Sequence, residues 1–439
     1  MLKYTNNIRG RKCEGGYQLE VGFYGACKTV TGSCHLVQTR DTRLLIDCGL
    51  YQGSKALKER NYGDFPFDPE DIDAVVLTHA HIDHSGLLPK LIKRGYKGPV
   101  ITTKATMDLC SIMLPDSGYI QELEVERKNR KLSRASQPLL DPIYTHFDAN
   151  TAMLQFSALD YGLKVALSPT ITIRFNDAGH ILGSSIVEIW INEDGKDIKM
   201  VFSGDIGNRH QPMLNEPAII DEADYLIIES TYGSRKHKNV GDRKKLLLDA
   251  IKDTFKRGGN VIIPAFAVER TQDILFFLAT LELEGLLPEC NIYVDSPLAI
   301  SATDIFQVSA AYFTDEAKEA FKKVWQSPTV LDKIEMVRTQ EESRKLNDVK
   351  KNNIIISASG MCEAGRIKHH LKHNLWRPES SVVFVGFQAE GTLGRQIIDG
   401  KKLVRIHGEY VAVKAKIYNI EGFSGHADQD ELIGWISAF

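Results

Sequence analysis

Three of the chain's thirteen histidines, His79, His81 and His84, fall within six positions, with Asp83 among them. Imidazole nitrogens and carboxylate oxygens at turn-like spacing are what Zn²⁺ takes in an open catalytic site, and no Cys-x-x-Cys pair is present to make a closed structural one. Four candidate ligands in six residues are more than one ion can easily use. Two adjacent cations about 3.5–4 Å apart, bridged by a carboxylate, would use them better. A surface histidine cluster is the plain alternative.

These residues need elements to hold them. DAVVLTH (73–79) is an apolar run of buried-strand character, and LLPKLIKRGY then has helical spacing with a glycine stop, so a strand hands over to a helix at His79–His84. Upstream, QLEVGFYG, SCHLVQ and RLLIDCG read as a meander of short strands. Downstream, TITIRFNDAGH, SSIVEIWI and KMVFSGD predict a second sheet whose strands end at His180 and Asp205. From about residue 234 the rhythm changes: KKLLLDAIKDTFKRGG, NVIIPAF, RTQDILFFLATLELEGLL, NIYVDS, NNIIISASG and SSVVFVGF alternate helix and strand, the pattern of βαβ units on a parallel sheet. After about residue 390 the chain is strand-like again, so the second domain reads as an insertion. The expected divisions are 1–233 and 390–439 for the first domain and 234–389 for the inserted one.

The His-x-His-x-Asp-His element resembles the metallo-β-lactamase superfamily. Asp47 in RLLIDCG matches its first motif, His180 in DAGHILGSS the third and Asp205 in FSGD the fourth. Within the superfamily the chain is most similar to the β-CASP group of RNA-processing nucleases, which includes the polyadenylation-factor endonuclease. Glu229 in YLIIESTYGS matches motif A of that group, the inserted α/β segment follows, and His426 in GFSGHAD matches motif C.

The resemblance implies an α/β fold: a metallo-β-lactamase αββα sandwich carrying a β-CASP domain. It implies two Zn²⁺ per chain, one on His79, His81, His180 and Asp205, the other on Asp83, His84, Asp205 and His426. Asp47 would orient a ligating histidine from behind. Asp83 would also align the attacking water, and Glu229 would handle the leaving-group proton. The histidine at motif C favours RNA over DNA, because the DNA-repair branch typically carries an aliphatic residue there.

Two departures from the group's pattern stand out. Motif B is normally a histidine, but GFQAEGTLGRQII places Arg395 and Gln396 there. Glutamine hydrogen-bonds yet cannot shuttle a proton at neutral pH, which bears on rate and not on fold. Family members also usually carry a further strand and helix containing His-Gly-Glu, whereas this sequence stops at ELIGWISAF, so that either it is truncated or the domain closes differently; the expectation is reduced stability before lost metal binding.

Glycines and hydroxyls before two expected helices, one beginning near Glu363 and one near Thr392, suggest phosphate cradles, with Ser359, Gly360, Thr392 and Arg395 as the contacts. Ordinary βα turns would read the same way. His369, His370 and His373 sit in basic surroundings, which predicts RNA-backbone contact or plain exposure. Glu269, Arg270 and Gln272 fall at a strand end.

Hydrophobic content of 43% with 25% charged residues is that of an ordinary globular protein. The net charge of −3 gives no global attraction to nucleic acid, so RNA would need a local basic surface. Three stretches offer one: Arg127, Lys128, Arg130, Lys131 and Arg134; Lys236, Lys238, Arg243, Lys244 and Lys245; and Lys368 to Lys372. Each could equally be a solvated helix face. The opening MLKYTNNIRGRKCEGG has no apolar stretch behind its basic residues and does not read as a secretory signal. Seven cysteines form an odd set without disulfide spacing, so reduced thiols, a cytoplasmic setting and no membrane partner are expected. The resemblance implies single-stranded RNA as the partner, and a homodimer is compatible with the sequence. A DNA nuclease, a non-catalytic RNA-processing scaffold and a thioester hydrolase of the same superfamily stay open as alternatives.

Overall fold

A computed structural model describes residues 19–193, 195–237 and 240–439; Cys13 and Lys238 lie outside them. The chain forms two compact units. One takes residues up to Ile206 together with Pro217–Thr231 and Ile433–Phe439; the other takes Gly207–Glu216 and Tyr232–Leu432.

The first unit contains two sheets. Strands β1 (Glu20–Phe23), β2 (His35–Gln38), β3 (Arg43–Ile46), β4 (Ala74–Val76), β5 (Val100–Thr102) and β6 (Phe156–Ala158) lie in sequence order, antiparallel through β3 and parallel thereafter. Strands β7 (Val165–Ala166), β8 (Ile171–Asp177), β9 (Ser185–Glu193), β10 (Lys196–Phe202) and β11 (Tyr225–Ile227) form the second. Alternation decides how they meet. In β8, Ile171, Ile173 and Phe175 point inward and are buried between polar residues. They pack in one apolar cluster with Val37, Leu44, Ile46 and Val76 of the first sheet and Val187, Ile189 and Met200 of the second. This is face-to-face sheet packing, the ββ interior of a sandwich.

A 31-residue helix, Lys104–Arg134, buries Leu109, Cys110, Met113 and Leu114 on one side and leaves Arg127, Lys128, Arg130, Lys131 and Arg134 exposed. The first basic stretch is therefore a solvated surface.

The second unit holds a six-stranded sheet that is parallel throughout, in the order β14 (Ile334–Met336), β13 (Asn291–Val294), β15 (Asn353–Ser357), β12 (Val261–Pro264), β16 (Ser381–Phe384) and β19 (Lys416–Asn419). Its central strands β12, β15 and β16 are buried along their whole length because both faces are covered. Ile354 and Ile356 belong to one core cluster, and Ile355 between them belongs to the other. A separate hairpin pairs β17 (Leu403–Ile406) with β18 (Glu409–Ala412).

Strand β19 completes the parallel sheet, and residues 390–432 group with the second unit. The helix–strand rhythm does end near 390, but the sheet accepts one more strand beyond the hairpin. The second basic stretch is not a continuous patch, since Arg243 is buried and donates to the Gly422 carbonyl. Among the described residues no helix is long and apolar enough to cross a membrane. The six described cysteines are free thiols, and all but Cys27 are buried.

Candidate metal centre

The centre is assembled at the carboxyl ends of β3, β4 and β10. Beyond β4 the chain makes a tight turn through Thr78–His81 into the one-turn helix Ile82–Ser85. Beyond β3 the backbone runs against that turn: Cys48 N–H donates to His84 O, and Gly49 lies so close that a β-carbon there would sit 1.6 Å from Asp83 O. Only glycine permits that approach.

Asp47, the last residue before this contact, has φ of 59°. Aspartate tolerates the left-handed region better than most residues, and here the side chain fixes it in place. Oδ1 accepts the Thr78 N–H at 2.8 Å; Oδ2 accepts the Thr78 hydroxyl at 3.0 Å and the Ser33 hydroxyl at 3.2 Å, and meets His84 Nδ1 at 2.7 Å.

These bonds set the histidine tautomers. Thr78 gives its proton to Asp47, so its oxygen accepts from His79 Nδ1, 3.1 Å away, and His79 Nε2 is left with a lone pair facing inward. Burial pushes His79 well below the ordinary histidine range, which keeps the ring neutral. His84 gives Nδ1–H to Asp47 and turns Nε2 toward Asp205 Oδ1 at 3.4 Å. Burial alone would lower His84, but the Asp205 and Asp47 carboxylates outweigh it and raise its pKa well above the usual value. Two carboxylates buried among these histidines give the pocket an excess of negative charge, which suits a cation.

The donor atoms converge. His81 Nδ1 lies 3.1 Å from His79 Nε2 and 3.3 Å from His180 Nε2, and Asp205 Oδ2 lies 3.5 Å from both His79 Nε2 and His180 Nε2. Tetrahedral Zn²⁺ with bonds of about 2.0–2.1 Å separates its ligand atoms by about 3.3–3.4 Å, so the three nitrogens and one oxygen fit such an ion. His84, on the other oxygen of Asp205, faces a second position. Metal binding is what this donor set is built for.

Glu229, beyond β11, accepts the Ile206 N–H on Oε1 at 2.5 Å, and its own N–H donates to Ser203 Oγ. It thereby braces the turn that carries Asp205. Asp83 sits partly exposed in the first turn of the short helix. His426 belongs to the second unit, where its carbonyl oxygen lies 2.8 Å from His237 Nε2 and its ring lies 6.0 Å from that of Tyr232.

The remaining sequence candidates are held differently from the way they read. Gln396 Oε1 accepts from Lys401 Nζ at 3.0 Å, and Arg395 pairs with Asp399 at 2.7 Å. Thr392 caps the helix Leu393–Ile398 by accepting the Arg395 N–H. The Leu393 N–H at that helix start is already taken by Glu363 Oε1 at 2.7 Å. The other expected helix begins at Ile367, not near Glu363, because Ser359 folds back onto Ala364 and the segment between is a turn. The Gly360 carbonyl accepts from Gln388.

His370 is neither exposed nor available to RNA. It is buried with Nε2 2.6 Å from Asp295 Oδ2, in a network with Arg366 and Ser343. Glu269, Arg270 and Gln272 are also buried, with Arg270 paired to Asp273. Sequence reasoning missed Thr78, Glu363 and Asp295. Thr78 had a usable signal, its position directly before the first motif histidine; the other two find partners far along the chain.

A sandwich of two sheets with a histidine–carboxylate centre at its strand ends, joined to a parallel α/β unit, defines a metallo-hydrolase with an added domain. Family models agree along the chain. Residues 28–110 match the metallo-beta-lactamase superfamily, 271–397 the Beta-Casp domain and 410–439 the Zn-dependent metallo-hydrolase RNA specificity domain. Ribonuclease TTHA0252 of Thermus thermophilus is 38% identical over 414 residues, covering 94% of this chain and 89% of its own length. Transcription termination factor FttA of Methanocaldococcus jannaschii is 34% identical over 434 residues, and this chain spans 65% of its length. The crystal structure of a protein of unknown function from Enterococcus faecalis V583 superposes with a TM-score of 0.53 at 13% identity, over 96% of this chain and 92% of that one, which speaks to fold alone. The chain belongs to the β-CASP family of metallo-β-lactamase-fold hydrolases.

Proposed function

We propose that the protein is a ribonuclease that hydrolyses phosphodiester bonds of single-stranded RNA with two zinc ions. The observation that carries this reading is the convergence of His79, His81, His180 and Asp205 at tetrahedral spacing, with His84 held on the far oxygen of Asp205. The first ion would take those four residues, and the second Asp83, His84, Asp205 and His426. When bound, the ions supply Lewis acidity and positive charge for the phosphoryl oxygens.

The chain's own residues do the positioning. Asp47 fixes His84 and, through Thr78, His79. Asp83 aligns the attacking water. Glu229 braces the Asp205 turn through Ile206 and, as a carboxylate beside that turn, takes part in moving the leaving-group proton. The RNA reading is supported by the matched RNA-specificity domain and by the ribonuclease relative. Ser359, Gly360, Thr392 and Arg395 remain proposed phosphate contacts, each of which would exchange an internal partner for RNA. The free thiols suit a cytoplasmic setting.

Glutamine at the motif B position favours one rival, a scaffold that holds RNA and metal without cutting. Cleavage of an end-labelled single-stranded RNA, set against the same sequence as DNA and repeated after chelation and zinc re-addition, separates the readings. The proposal requires zinc-restored cutting of RNA in preference to DNA. Retained RNA binding with no cutting would favour the scaffold.

A further inference from the structure

Two phenylalanines at the carboxyl edge of the second unit's parallel sheet face solvent. Phe266 follows β12 and is 40% exposed; Phe387 follows β16 and is 51% exposed. Single exposed apolar residues are ordinary, but these two are mounted rigidly on neighbouring strands. The Phe266 carbonyl accepts both the N–H and the hydroxyl of Thr271, which locks its turn. Its ring rests against two glycines: a β-carbon on Gly360 would meet it at 2.9 Å, and one on Gly386 would lie 3.6 Å away. The buried Gln388 amide donates to Gly360 O and Gly386 O, tying together the turns on either side of the ring.

Phe387 is flanked by polarised groups. The Arg235 guanidinium lies 5.9 Å from its ring centre, and the Tyr232 ring stands edge-on to it at 6.5 Å. Tyr232 in turn neighbours His426 at 6.0 Å. Open parallel sheets bind their ligands at the carboxyl ends of the strands. Flat apolar rings beside a guanidinium, held on fixed turns, suit a nucleobase better than a phosphate. Bases of single-stranded nucleic acid stack on such rings with little regard to sequence.

We infer that Phe387 and Phe266 form a nucleobase-stacking platform, connected to His426 through the Tyr232 ring, which grips a base of the RNA. The inference deepens the ribonuclease reading and rests on it.

The experiment measures equilibrium binding of a short oligoribonucleotide by the full chain, for the wild type, Phe387→Ala, Phe266→Ala and Phe387→Tyr. A second oligonucleotide carries abasic sugars in place of its central bases. Loss of one stacked base weakens binding roughly 5- to 100-fold. Both alanine variants should show that loss on the normal strand and almost none on the abasic one. Phe387→Tyr should bind like the wild type, and the salt dependence of binding should be unchanged, since no phosphate contact is removed. Alanine variants that bind as the wild type does, or that lose equally on both strands, overturn the platform and leave the ribonuclease reading intact. A wild type that neither binds nor cuts RNA overturns both.

Discussion

His84 donates Nδ1–H to Asp47 Oδ2 at 2.7 Å, and this one contact turns its other ring nitrogen to the carboxylate of Asp205. The same Asp47 oxygen accepts from Thr78, whose hydroxyl oxygen in turn accepts a hydrogen bond from His79 Nδ1–H. One buried carboxylate therefore aims two of the four inward histidines.

Asp47→Asn puts an amide N–H or a weaker acceptor where the carboxylate stood, so His84 and Thr78 cannot both be served. Loss of such an orienting partner typically weakens metal affinity 10- to 100-fold. Competition with a chromophoric chelator should show that weakening for at least one metal equivalent, with circular dichroism unchanged.

Glu229→Gln keeps an oxygen that can accept the Ile206 N–H but removes a proton carrier. Metal content should be retained while kcat falls by about 10² or more, the scale of a lost acid–base group. Full activity in this variant would reduce Glu229 to a brace for the Asp205 turn.

Gln396→His restores a group able to carry a proton, in a side chain that now accepts from Lys401. The Lys401 ammonium nearby would keep the new imidazole neutral. Metal content should not change and kcat should rise, by about 10-fold or more. Unchanged or lower cleavage would deny this position a proton-relay role.

Acid stability should depend on Asp295. Burial alone would raise its pKa, but hydrogen bonds from His370, Ser343 and Arg366 hold it below the ordinary carboxylate value. A depressed folded pKa stabilises the fold above the unfolded value near about 3.9, and the contribution is lost as pH falls through the folded value. Wild-type melting temperature should drop as pH falls below about 4. Asp295→Asn should be less stable at neutral pH by about 3–5 kcal/mol, because Arg366 and His370 lose the carboxylate charge and only one of them keeps an acceptor oxygen, and should have a shallower acid limb.

The grouping of His79, His81, His180 and Asp205 was legible because the first two share one turn and the last two follow recognisable strands. Both sheets of the first unit and the parallel sheet of the second followed from alternating and unbroken apolar runs. What escaped was set by distant partners. His370 read as exposed because its neighbours Lys368 and Lys372 are basic; Asp295, 75 positions away, buries it. At the helix start by Thr392, the sequence gives no sign that Glu363, far back along the chain, accepts the first amide. Strand β19 follows a hairpin, which hid its place in the parallel sheet. Phe266 and Phe387 carry no such signal, because exposure cannot be read from residue type.

The most direct test joins elemental analysis to cleavage of an end-labelled single-stranded RNA, for the wild type and for His81→Ala. Two zinc equivalents per wild-type chain, with RNA cutting that disappears along with metal in the variant, is the predicted result. A wild type that is fully loaded with metal and cuts no RNA, or a variant that cuts as well as the wild type, would contradict it.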